Sequence, residues 1–214
     1  MRASLRKTKS AYHHGNLPKA LIRAALELMA KKEDASFTLR EVSHRVGVSH
    51  VAAYRHFRDK TAILAKIAEE GFYGLQRVLT AANQEANLQP LEQIRKQTQA
   101  YVKFAVEHPE HFRVMFQADL HAPGTHLDIQ VAKGKALGCL RRATLAAQRQ
   151  GAISEADIKP MVIGCWSAMH GLAILAMDHQ LESPLVESTL SLSQVIDSVA
   201  KAVVSGYARE RTQI

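Results

Sequence analysis

Apolar residues recur at helical spacing along almost the whole chain, and the polar positions between them carry helix start and stop signals. Leu17, Ala20, Leu21, Ala24, Ala25, Leu28 and Met29 make one apolar stripe, predicting a first helix with Asn16 as N-cap and Pro18 in its first turn. Leu39, Val42 and Val46 predict a second helix. Thr38 and Glu41 open it as a capping box, and Gly47 closes it, where a residue tolerant of positive φ is needed. Val48 plugs the turn and Ser49 caps a short third helix, expected over 50–57, with Ala53 and Phe57 facing the core and His50, Val51 and Ala52 in an exposed first turn. Asp59 is the expected cap of the fourth helix.

The remainder also reads as helix, with no strand pattern. Ile63, Leu64, Ile67, Leu75, Val78 and Leu79 predict a long fourth helix linking the first three to the rest, with Gly71 and Gly74 giving room for close packing or a bend. A polar break over 83–89 precedes Pro90, which opens a fifth helix with Ile94, Tyr101, Val102 and Ala105 inward. Pro109 restarts the chain in a short sixth helix holding Phe112, Met115 and Phe116, followed by a loop over 121–125. A seventh helix is expected over 127–149, an eighth over 155–179 and a ninth over 192–208. The fold class is therefore all-α, with about nine helices, divided into an arm (1–15), a three-helix domain (16–60) and a larger helical domain (61–214). The eighth helix is apolar on almost every face. With the ninth it is expected to form a four-helix interface with a second copy, making a two-fold homodimer.

Charge separates the two regions. The first sixty residues hold 13 Lys/Arg against 5 Asp/Glu, and the following 154 hold 15 of each, so the net +8 belongs to one end. A polyanion is the partner such an end implies, and a helix pair around a glycine turn fits the DNA major groove. Arg2, Arg6, Lys7 and Lys9 form a basic arm suited to a minor groove. No run of eighteen apolar residues occurs, so no membrane partner is expected. Cys139 and Cys165 sit among apolar helical residues and make no disulfide framework, consistent with a reducing cytoplasm. The sequence has no nucleophile–base pairing, phosphate-binding glycine loop or paired carboxylates at a metal spacing. Neither catalytic residues nor a metal or other cofactor are expected, although His108, His111, His121 and His126 lie close in sequence.

The segment FTLREVSHRVGVSHVAAYRHFRDK, from Phe37 to Lys60, resembles the N-terminal domain of the TetR family of bacterial transcription regulators, above all in Gly47-Val48-Ser49, Tyr54-Arg55-His56-Phe57 and Asp59-Lys60. Ala53 departs from the Leu or Ile often found there. Trp166, His170 and Gly171 fit a W-x-x-x-H-G pattern of one C-terminal domain class in that family, and the string YHHGNL over 12–17 resembles the approach to helix one in the same subgroup. The resemblance implies a dimeric cytoplasmic regulator, usually a repressor, that binds palindromic double-stranded DNA and is released by a small apolar or amphipathic effector. It implies phosphate contacts for Thr38, Tyr54, His56 and Lys60 and base contacts for His50, Val51 and Ala52, beside the capping Ser49. An effector cavity is expected between the fourth and eighth helices. Tyr101, Phe104, His108, Phe112, Met115, Phe116, Trp166, Met169 and His170 are the candidates to line it, although an aromatic stripe at helical spacing is equally the mark of a plain core. The other reading kept open is a DNA-bound protein that recruits a protein partner and has no small-molecule inducer.

Overall fold

The computed structural model describes residues 16–32, 36–83, 89–153, 158–182 and 190–207. The basic arm, Tyr12 to Gly15, and the expected start of the eighth helix at Glu155 lie outside them. Among the described residues the chain is helical, with α1 (Leu17–Lys32), α2 (Leu39–Val46), α3 (His50–Tyr54), α4 (Lys60–Ala81), α5 (Pro90–Glu107), α6 (Pro109–Met115), α7 (Leu127–Arg149), α8 (Ile158–Met177) and α9 (Leu192–Tyr207). Short 3₁₀ turns occupy Ala118–His121 and Gln180–Glu182. The chain divides into two compact units, Met1–Ile63 and Leu64–Ile214.

In the first unit α1 packs on α2 and α3, and α2 on α3. The expected stripe supplies Leu21, Ala24, Ala25 and Met29 to its core, joined by Ile22, Phe37, Leu39, Val42, Val46, Ala53 and Phe57. Two ion pairs tie the exterior of α1 to α2: Arg45 with Glu27 and Lys32 with Glu41. These exposed pairs add little stability each. They fix orientation around a small core.

The second unit is built on α5, which packs against α7, α8 and α9, while α8 also touches α7 and α9. Tyr101, Val102 and Ala105 of α5 are buried, with Ile94 and Phe104. α4 approaches this core through its glycines. A Cβ on Gly71 would lie 2.6 Å from Met115 Sδ, and one on Gly74 would lie 3.0 Å from Phe104 Cε2. A methyl at Gly71 would displace the Met115 side chain, and one at Gly74 would press on the Phe104 ring.

One expectation is corrected. The third helix ends at Tyr54 rather than near Phe57, because the backbone tightens. Both the His56 and Phe57 N–H groups donate to Ala53 O, at 3.0 Å each, and Arg55 caps the helix. Phe57 nevertheless reaches the core. Among the described residues α8 is by length and hydropathy alone apolar enough to cross a membrane, a test that a packed core helix also passes. Met161, Cys165, Met169, Leu172, Ala173 and Met177 bury one face of it. Ile163, Ile174 and Leu175 remain exposed on the other.

Candidate nucleic-acid interface and aromatic cluster

The exposed turn of the first unit is held by a chain of local hydrogen bonds. Thr38 Oγ1 accepts from the Glu41 N–H at 3.1 Å, while Glu41 Oε2 accepts from the Thr38 N–H at 2.7 Å, closing the capping box. Hydrogen bonds from Lys32 and Thr38 hold the Glu41 carboxyl below the usual range. Gly47 sits at φ 78°, and the N–H groups of Gly47 and Val48 return to the carbonyls of His44 and Ser43. This paired closure ends α2 and aims the chain into α3. Ser49 Oγ then accepts from the Ala52 N–H at 3.2 Å.

The consequence is a short helix pinned from inside by Ala53, which is fully buried, with its outer face bare. Val51 is 55% exposed and Tyr54 54% exposed; His50, Arg55 and His56 are exposed and Ala52 is half-buried. Val51 and Tyr54, three positions apart, put apolar and aromatic surface on the same outer face. Asp59 Oδ1 accepts from the Ala62 N–H at 2.8 Å and caps α4. The backbone N–H of Ala62, with Arg58 as a lesser influence, holds its carboxyl low. Lys60 is half-buried, with its ammonium 5.3 Å from the centre of the Phe37 ring. Thr38 is exposed. The eight residues read from the sequence thus lie in one stretch of the first unit, four of them (His50, Val51, Tyr54 and His56) on the bare surface of α3 and the turn that follows it.

In the second unit the nine residues proposed around a cavity separate into groups. Tyr101, Phe104, Phe112, Met115 and Met169 are buried, Phe116, Trp166 and His170 are half-buried, and His108 is exposed. Tyr101, Phe112, Phe116, Trp166 and His170 come together as one cluster across α5, α6 and α8. Tyr101 meets Phe112 edge-on at 5.5 Å, Phe112 stacks on His170 at 5.4 Å, and Phe116 meets His170 at 4.5 Å. Trp166 Nε1 donates to the Tyr101 oxygen at 3.4 Å, and that hydroxyl is 3.0 Å from His170 Nδ1. Burial pushes the Tyr101 hydroxyl up and holds the His170 imidazole below its usual range, so both are neutral near pH 7. Phe104 pairs instead with His108, at 4.9 Å.

Three further histidines have local partners. His121 Nε2 lies 2.7 Å from the Met115 carbonyl, and the His108 and His111 rings are 6.1 Å apart. Among the described residues no group of three or more His, Cys, Asp or Glu could hold a metal ion. Burial pushes the Cys165 thiol up to about 11, so it is no nucleophile.

Two features escaped sequence reading. Lys133 of α7 places its ammonium 5.6 Å from the Trp166 ring. It flanks the buried stripe of Ile129, Ala132 and Ala136, and that position was the available signal. An open groove of about 420 Å³ also runs along α4, lined by Tyr73, Gln76, Arg77, Thr80 and Ala81.

The family model for bacterial regulatory proteins of the tetR family matches residues 21–67, and a Tetracyclin repressor-like C-terminal domain matches residues 94–199. The second match contains Trp166, His170 and Gly171. A Rhodococcus sp. RHA1 protein of unknown function is 29% identical, with a TM-score of 0.80 over 94% of this chain and 100% of that one. The TetR family transcriptional regulator PfmR from Thermus thermophilus is 19% identical, with a TM-score of 0.62 over 88% of this chain and 99% of that one. The fatty acid degradation regulator FadR from Bacillus halodurans is 14% identical, with a TM-score of 0.69 over 90% of this chain and 97% of that one. At such identities the last two share the fold.

Proposed function

We propose a repressor's role for this chain, which belongs to the tetR family of bacterial regulatory proteins. It is a DNA-binding transcription regulator with a helix-turn-helix. The finer reading is ours: a cytoplasmic homodimer binds a palindromic operator, blocks transcription, and leaves the DNA when a small apolar or amphipathic effector enters the second unit. The chain is then a binder and not a catalyst.

The observation that carries this reading is the bare face of α3 on a rigidly capped support. His50 offers a ring nitrogen to a base edge, and Val51 and Ala52 offer methyls to thymine. Thr38, Tyr54, His56 and Lys60 serve phosphates, and Ser49 holds the start of the helix. Two such helices in a two-fold dimer would meet half-sites about 34–36 Å apart. The exposed Ile163, Ile174 and Leu175 of α8 support an interface between copies. The effector reading rests on the half-buried members of the aromatic cluster, which give a ligand apolar surface to cover. A ligand can release DNA only by binding the DNA-free state more tightly than the DNA-bound one.

Binding-site selection from a random duplex pool tests the reading. The selected site should be an inverted repeat, with His50→Ala relaxing preference at one or two base pairs by about 1–3 kcal/mol. Recovery of direct repeats, or an unchanged preference in the variant, would defeat it.

A further inference from the structure

We propose that Lys133 and His170 together form the head-group site for the effector, and that they select an amphipathic carboxylate, a singly charged anion on an apolar body. This rests on the effector reading above and names the ligand class it leaves open.

Hydrogen-bond direction assigns one of the two groups. The indole N–H of Trp166 can only donate, and it donates to the Tyr101 oxygen at 3.4 Å. The single proton of the Tyr101 hydroxyl has one acceptor within reach, His170 Nδ1 at 3.0 Å. An Nδ1 that accepts is unprotonated, so neutral His170 carries its proton on Nε2. The chain of donors from Trp166 through Tyr101 therefore ends in an imidazole N–H. Among the described residues nothing accepts from that N–H. Since His170 is half-buried, a ligand can reach it.

Lys133 supplies the charge. Its ammonium lies over the Trp166 ring, and no carboxylate among the described residues pairs with it. Burial alone acts on it, holding it below the usual lysine range. The indole face offsets part of that cost, and an anion would offset far more. Both groups thus lie against Trp166, whose ring is 6.4 Å from the His170 ring and 5.6 Å from the Lys133 ammonium. One cation and one neutral donor, with no carboxylate paired to either among the described residues, suit a single negative charge. A ligand amine would be repelled, and a dianionic phosphate would keep an uncompensated charge. Phe116, half-buried and 6.4 Å from Trp166, offers aromatic surface to the apolar body.

Trp166 is the single tryptophan of the chain, so its emission reads this site directly. The probes are 4-phenylbutyrate, 4-phenylbutanol and 4-phenylbutylamine, which share a body and differ in head group. The full-length protein should bind the acid at least about tenfold more tightly than the alcohol, with the amine weakest. Lys133→Met should equalise acid and alcohol, and Lys133→Arg should keep the preference; thermal melts establish that both variants are folded. Equal affinity for acid and alcohol, a preference that survives Lys133→Met, or no saturable binding of the acid would overturn the inference. DNA release is measured in parallel. Release by alcohol and acid alike would keep the effector reading and sink the carboxylate site. Acid binding with the expected preference but without release would do the reverse.

Discussion

Replacing Tyr101 by Phe removes one oxygen atom and leaves the ring, so it isolates the hydrogen-bond relay from the packing around it. The ring keeps its edge-on contact with Phe112 at 5.5 Å in a fully buried position. What is lost is the 3.0 Å bond to His170 Nδ1 and the longer 3.4 Å bond from Trp166 Nε1. An ordinary hydrogen bond contributes about 0.5–1.5 kcal/mol net, and the longer one belongs at the low end. Both stranded partners sit on half-buried residues that water can reach, so the full desolvation penalty does not apply. The expected loss is therefore about 1–1.5 kcal/mol, against about 3–5 kcal/mol for Tyr101→Ala, which also leaves a cavity. Urea unfolding followed by Trp166 emission reports on the unit that contains both residues. Nitrogen NMR of the His170 ring should find the proton on Nε2 in the parent protein and a mixture of tautomers in Tyr101→Phe. A Phe variant as damaged as the Ala variant would show that packing is the whole effect. A silent variant with an unchanged tautomer would show that the relay does not exist.

Three further outcomes are expected. Thr38→Ala removes the acceptor for the Glu41 N–H and should cost about 1 kcal/mol of first-unit stability, while Thr38→Ser retains most of it; equal losses in a thermal melt would contradict the capping box. Burial holds His170 and His111 below the ordinary histidine value, with His108 adding to the effect on His111, so the folded state binds fewer protons than the unfolded one. Their contribution is fully present above about pH 6.5 and is lost as pH falls below it, so the urea midpoint should drop between pH 7.5 and 5.5 and the drop should shrink in a His111→Gln/His170→Gln double variant; a rising midpoint on acidification would refute this. Ile174→Asp should yield monomers in sedimentation, and an intact dimer would move the interface away from the exposed face of α8.

Short-range signals were legible in the sequence. The Thr38–Glu41 capping box, the Gly47 closure and the Ser49 and Asp59 caps depend on residues three or four apart, and each forms. Membership of the α1, α2 and α5 cores followed from helical spacing in the same way. Contacts between distant elements were not legible. Nothing in periodicity pairs Tyr101 with His170, 69 residues later, or lays Lys133 on Trp166. The end of α3 was misplaced because Phe57 keeps helical spacing while its backbone has already tightened around the Ala53 carbonyl. The aromatic residues named as one cavity divide, since apolar side chains on one stripe sort into buried and half-buried only once the packed helices are in place.

Whether the bare face of α3 lies against DNA is decided by titrating a fluorescent duplex carrying the selected site, at low and moderate salt, with the parent protein and with Val51→Glu. Val51 is 55% exposed, so the substitution leaves the core untouched, but its carboxylate would enter the negatively charged groove against the base edges. The parent should bind tightly, with an affinity that falls steeply with salt, and Val51→Glu should lose about a hundredfold or more. Equal affinity of the two proteins for the duplex would contradict it.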